Sequence, residues 1–216
     1  RLIVTSATYR QSARILPKAG KSDPENLWLA HMPRVRLPAE QIRDQALAIS
    51  GLLNRKTGGA PVFPVQTPDY WEQRVLPGKW KQSAGEDRHR RTMYTYWRRM
   101  ALHPTLELLN APARDNCVVR RDVSNVPTQA LALMNDPIFN EAATAFAARL
   151  IREVEGSDAK RLERAFRLVL GRSPEPAERN RFLSFLKHQR EDWNNDAAWT
   201  LACSVLLNLD ETITRP

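Results

Sequence analysis

From residue 126 onward the chain repeats one order of cap, apolar stripe and breaker, and that punctuation commits it to a helical assembly. Asp136-Pro137 reads as a helix start, with the aspartate as N-cap and the proline at the first helical position. Behind it Phe139, Ala142, Ala143, Phe146 and Leu150 recur at spacings of three and four, which place them on one face. Gly156 closes that unit and Ser157 caps the next, whose stripe is Leu162, Ala165, Phe166, Val169 and Leu170. Gly171 stands where a left-handed C-terminal residue belongs. After Ser173-Pro174-Glu175-Pro176, Glu178 puts negative charge in the first turn of a third helix presenting Phe182, Phe185, Leu186 and Gln189. A fourth carries Ala198, Ala202, Val205 and Leu209, with Trp199 and Leu206 beside them. Connections this short predict an antiparallel four-helix portion.

The first half follows other rules. One helix is predicted from Pro38 to about Leu53, with Ile42, Ala46, Ile49 and Leu53 inward, and a shorter one after Ser22-Asp23-Pro24. Between Arg55 and Gly85 the residues Gly58-Gly59, Pro61, Pro64, Pro68, Pro77 and Gly78 break every period. Thr92–Trp97, rich in aromatics and β-formers, is the one predicted strand. The expected fold is mainly α: a helical half (126–216) packed on an irregular, Arg-rich half (1–125) with little β-strand. The 216 residues are expected to form a single domain with a real core, the C-terminal part of a longer chain, since Arg1 replaces a starting Met. The longest uncharged apolar runs, such as 142–148 and 201–207, fall short of a membrane span.

The net charge of +9 is confined to one half. Residues 1–108 hold eighteen Lys and Arg against nine Asp and Glu, whereas residues 109–216 balance. Of the 33 basic residues 26 are arginine, whose planar fork suits carboxylates, phosphates, sulfates and aromatic faces. Two clusters follow. In Arg88–Arg99, Arg90 and Arg98 supply charge and Tyr94, Tyr96 and Trp97 supply stacking faces, a combination seen on polyanion-binding surfaces. In Asn110–Gln129, Arg114, Arg120 and Arg121 lie ahead of a helix start at Pro127, with Asn125 and Gln129 as hydrogen-bonding partners. Caps and internal ion pairs explain many of the same residues.

Other chemistry finds little footing. The two cysteines, Cys117 and Cys203, have no CxxC spacing, and the reading leaves them free or bridged. His31, His89, His103 and His188 are scattered, so no metal site is expected; without CxxCH no haem is attached here. Glycine-rich phosphate loops are absent.

Several stretches resemble a known family: Leu2-Ile3-Val4-Thr5-Ser6-Ala7-Thr8-Tyr9-Arg10-Gln11-Ser12, Asp23-Pro24-Glu25-Asn26 with Leu29-Ala30, and Ile42-Arg43-Asp44. The likeness continues through Met93-Tyr94-Thr95-Tyr96-Trp97, Val126-Pro127-Thr128-Gln129-Ala130-Leu131, Asn135-Asp136-Pro137 and Leu207-Asn208-Leu209-Asp210-Glu211. Together they are similar to the PSD-type C-terminal domain of unknown function in planctomycete-type cytochrome c multidomain proteins. The resemblance implies an exported protein, periplasmic or at the cell surface. It also implies partner domains in the parent chain, one of them cytochrome c-like, with any haem on that domain and no cofactor on this segment. It brings no established activity or catalytic residue, and it weighs against nucleic acid as a partner. The leading expectation is therefore a non-catalytic binding or scaffolding domain holding an anionic partner domain or an anionic polysaccharide. Two alternatives stay open: a polysaccharide hydrolase using Asp115 and Asp122 with Arg121, and a nucleic-acid-binding module.

Overall fold

A computed structural model describes all residues except 14, 16, 69, 72–78, 100 and 216. Its ordered elements in chain order are α1 (Leu2–Thr5), α2 (Pro17–Ser22), β1 (Val35–Arg36), α3 (Ala39–Ser50), α4 (Pro104–Leu108), α5 (Pro127–Asn135), α6 (Pro137–Glu153), α7 (Asp158–Val169), α8 (Pro176–Asp192), α9 (Asn195–Leu207), α10 (Asp210–Ile213) and β2 (Thr214–Arg215). The protein is mainly helical, as the pattern of stripes and breakers requires.

Local chemistry sets the helix ends. Asp136 accepts the N–H of Ile138 at 2.9 Å ahead of α6, and Asn194 accepts that of Ala197 at 2.9 Å ahead of α9. The Glu178 carboxylate reaches back to the N–H of Glu175 at 2.8 Å, one arm of a capping box on α8. At the end of α3, Gly51 takes φ +84°, which closes the helix with its N–H on the Ala48 and Leu47 carbonyls.

The two halves share one core. Leu37, Ala39, Ile42, Ala46, Leu47 and Ile49 from the first half pack with Phe139, Phe146, Leu150, Leu162, Phe166, Leu186, Trp199 and Leu206 from the second. Trp199 and Phe146 are wholly buried, and the latter belongs to α6, the helix against which both α3 and α9 pack. A smaller cluster holds the irregular segment: Trp71 and Ala101 with Trp80 and Tyr96. The chain end returns to the first half, where β2 pairs antiparallel with β1 (Val35 with Arg215, Arg36 with Thr214).

Two local expectations are corrected. Thr92–Trp97 is not a strand: Thr92–Tyr94 is a single 3-10 turn, and pairing is limited to the isolated bridges Asn54–Arg90 and Val62–Thr95. The cause is distant in sequence. The Asp44 carboxylate on α3 takes both the N–H (2.7 Å) and the hydroxyl (2.6 Å) of Thr92, so the chain bends there instead of extending. Asp23-Pro24 does not open a helix either. The helix, α2, precedes it, and the Asp23 carboxylate accepts the N–H groups of Leu27 and Trp28, both at 2.8 Å, closing a tight turn.

Candidate anion-binding surface

The stretch 109–125 leaves the core after α4 and returns to it at α5, with no helix or strand of its own. Three hollows follow it. One of about 310 Å³ is lined by Asn110, Asp115, Arg120, Arg121 and Asp122; one of about 350 Å³ by Arg34, Arg36, Asn125 and Asp210. A narrow one of about 70 Å³ shares Asn110, Arg121 and Asp122 with the first and Arg36 and Val123 with the second, so the three make one groove.

Gln129 fixes that groove from below. It is 1% exposed, its Nε2 donates to Leu108 O at 2.9 Å and Ser124 Oγ at 3.0 Å, and its Oε1 accepts from Arg36 at 2.9 Å. Arg36 also reaches Asn125 Oδ1 at 3.5 Å. Burial is the main pull lowering the Arg36 guanidinium, with Asp210 opposing it. Gln129 is therefore a structural tie, while Asn125 stays at the mouth. Arg121 pairs with Glu40 at 2.9 Å, and Arg34 with Asp210.

The cluster at 88–99 divides. Arg90 is 2% exposed and donates to the carbonyls of Lys56, Gly58 and Ala60 while lying 4.0 Å over the Tyr94 ring. Tyr94 in turn accepts the Gly58 N–H on its hydroxyl at 3.0 Å. Both residues hold the glycine loop together from inside. Tyr96 stacks on Phe63 at 4.8 Å and 24°, inside the aromatic cluster. Trp97 is half-buried under the Arg114 guanidinium, 4.7 Å away. None of the three rings offers an open stacking face of the kind the sequence suggested.

Beyond Trp97 the chain reaches the groove. Arg99 donates to Asp115 O at 3.1 Å, joining the end of one cluster to the start of the other. Arg98, Arg99, Arg114 and Arg120 are exposed, and among the described residues none of them has a carboxylate partner. Of the five arginines singled out in the sequence, Arg98, Arg114 and Arg120 are exposed and Arg120 lines the groove, Arg121 lines it while paired with Glu40, and Arg90 is interior. Arg34, Arg36 and Arg99 were not anticipated. The Arg34-Val35-Arg36 alternation was the available signal for the first two.

Asp115 and Asp122 line the same hollow and are exposed. Among the described residues no group of three His, Cys, Asp or Glu side chains could hold a metal ion. Cys117 is exposed and Cys203 buried, both as free thiols, and burial pushes the Cys203 thiol up out of the reactive range. No helix among the described residues is long and apolar enough to cross a membrane.

No curated protein and no solved structure matches the chain. A family profile matches residues 1–186, which include the exposed arginines and the groove lining apart from its C-terminal contribution around Asp210. The chain belongs to the PSD1 family, described as proteins of unknown function (DUF1553).

Proposed function

We propose that this domain is a non-catalytic binding and scaffolding module whose groove edge holds an anionic partner within an exported, haem-associated multidomain protein. The observation that carries the reading is the set Arg98, Arg99, Arg114 and Arg120, four exposed guanidinium groups without a carboxylate partner among the described residues, of which Arg120 lines the groove and Arg99 bonds to Asp115 O beside it. Several arginines of the helical half are matched, Arg172 by Glu178 and Glu211, Arg190 by Asp158 and Arg149 by Glu153, whereas others such as Arg152 and Arg181 are exposed with no ion pair among the described residues. A cation left unmatched beside a hollow supports recognition of carboxylate or sulfate groups, for which the guanidinium fork is shaped. The partner is an acidic domain of the parent chain or an anionic polysaccharide; haem, where the parent carries it, sits on another domain.

Retention on immobilised polyglutamate and on a sulfated glycan column tests this and separates the two partner types. Binding is expected to weaken steeply between about 50 mM and about 1 M salt, because the Debye length shrinks from above 10 Å to about 3 Å. The triple variant Arg98→Ala, Arg114→Ala, Arg120→Ala is expected to elute early on the preferred column with unchanged circular dichroism. Retention indifferent to salt or to the triple variant refutes the reading.

A further inference from the structure

The turn after α2 has an apolar tip held in place by polar side chains. Asp23, 7% exposed, accepts the N–H groups of Leu27 and Trp28 on its two carboxylate oxygens, and its carbonyl accepts the Asn26 N–H at 3.1 Å. The Leu29 N–H bonds to Asn26 O at 3.2 Å. Asn26 closes the turn from the side, donating to His31 O at 2.7 Å and accepting the His31 N–H at 3.3 Å. Asn26 and Leu29 both take positive φ, 52° and 53°. Asparagine tolerates that region, but a leucine there is strained. The strained arrangement displays Leu27 (75% exposed), Trp28 (75%) and Leu29 (53%) in succession.

We propose that this turn is an interfacial anchor that wedges Leu27, Trp28 and Leu29 into the headgroup layer of an anionic lipid bilayer. Three consecutive N–H groups at the tip are bonded within the turn, so the tip leaves water without stranding donors. Tryptophan favours that layer because its ring is apolar and its N–H is polar. Charge agrees: leaving aside Arg34 and Arg36, which Asp210 and Gln129 hold, residues 1–33 carry five Lys and Arg against Asp23 and Glu25, and Asp23 is buried in its own turn. Lys21 precedes the turn, and the Met32 N–H bond to Ser12 O (3.1 Å) ties it to the segment that carries Arg10. A protein partner would need a pocket fitted to three outward side chains, whereas a fluid bilayer needs none. The chain would lie on the membrane without spanning it.

Co-sedimentation with vesicles of phosphatidylcholine and phosphatidylglycerol, against phosphatidylcholine alone, tests the proposal. The protein is expected to bind the mixed vesicles, more weakly at higher salt, and the exposed double variant Leu27→Ala, Trp28→Ala to lose at least about tenfold in partition with unchanged circular dichroism. Brominated lipid is expected to quench tryptophan emission in the wild type and much less in Trp28→Phe, which still binds. The triple arginine variant of the groove edge keeps this Trp28-dependent quenching, so the two readings fail separately. Absence of binding to mixed vesicles overturns the anchor, as does equal binding by the double variant or quenching unaffected by Trp28→Phe. Loss of a self-association in the double variant, with no vesicle binding by either form, reassigns the tip to a protein contact.

Discussion

Replacing Arg43 with methionine is expected to destabilise the protein by about 3–5 kcal/mol, the range for removing one partner of a buried charged network. The side chain is 1% exposed at the centre of the first half. Its Nη1 donates to Arg90 O (3.0 Å) and Thr92 Oγ1 (3.1 Å), and its Nη2 to Arg88 O (2.9 Å). Burial lowers its pKa to about 10, with Asp44, Asp136 and Glu141 opposing, so it remains charged at neutral pH. The methionine stem replaces the packing of the arginine stem, leaving three acceptors without a donor at about 1–3 kcal/mol each where water cannot replace it. Relief of guanidinium desolvation returns part of that, which is why the total stays below the sum.

Urea titration followed by tryptophan fluorescence reads the change. With an m-value of about 2 kcal/mol per M, a loss of about 3 kcal/mol lowers the midpoint by about 1.5 M at unchanged slope. Arg43→Lys is expected to rescue little, because one ammonium cannot reach acceptors on both sides of the fork. A midpoint shift below about 0.3 M in Arg43→Met refutes the reasoning; segment 88–92 would then be held by the Asp44–Thr92 bonds and packing alone.

Two further outcomes follow from single residues. His103 is 2% exposed, its Nε2 donates to Val65 O at 2.9 Å, and its Nδ1 has no partner among the described residues. Burial, opposed by the Val65 hydrogen bond and assisted by Arg43, lowers its pKa to about 4 from 6.5. The unfolded chain therefore binds the proton first: stability is full above about pH 6.5 and falls by up to about 1.4 kcal/mol per unit as pH drops toward 4. Urea midpoints at a series of pH values are expected to show this slope flattened in His103→Gln. Gly51→Ala is expected to cost about 1 kcal/mol by thermal melting, because φ is +84° while the nearest atom to an added Cβ, Arg149 Cδ, is an unstrained 3.9 Å away.

The helical half was legible because its signals are local. Asp136, Asn194 and the Glu175–Glu178 pair each lie within three residues of what they cap. The same dipeptide misleads at Asp23-Pro24, where Asn26 and Leu29 leave the helical region and the aspartate caps a turn. The strand at Thr92–Trp97 failed for a non-local reason, since Asp44 acts from 48 residues away. In the groove edge the residue type was readable but the partner was not. Arg90 and Arg120 are equally cationic in sequence, yet three carbonyls surround the first and no carboxylate meets the second.

That difference shows one use the irregular first half makes of its arginines. A stretch broken by prolines and glycines forms few backbone ladders, so its carbonyls need side-chain donors when they are buried. Arg90 serves three of them, and Arg43 serves two along with a hydroxyl. One guanidinium offers five N–H groups in a fixed plane, so it can pin several strands of irregular chain at once, which lysine cannot do. These two interior cations count toward the +9 balance without bearing on any ligand, and a net-charge argument alone therefore overstates the basic surface. The part available to a partner is what is left after the fold has taken its share, and it includes the exposed Arg98, Arg99, Arg114 and Arg120 and Lys21 beside the Trp28 turn.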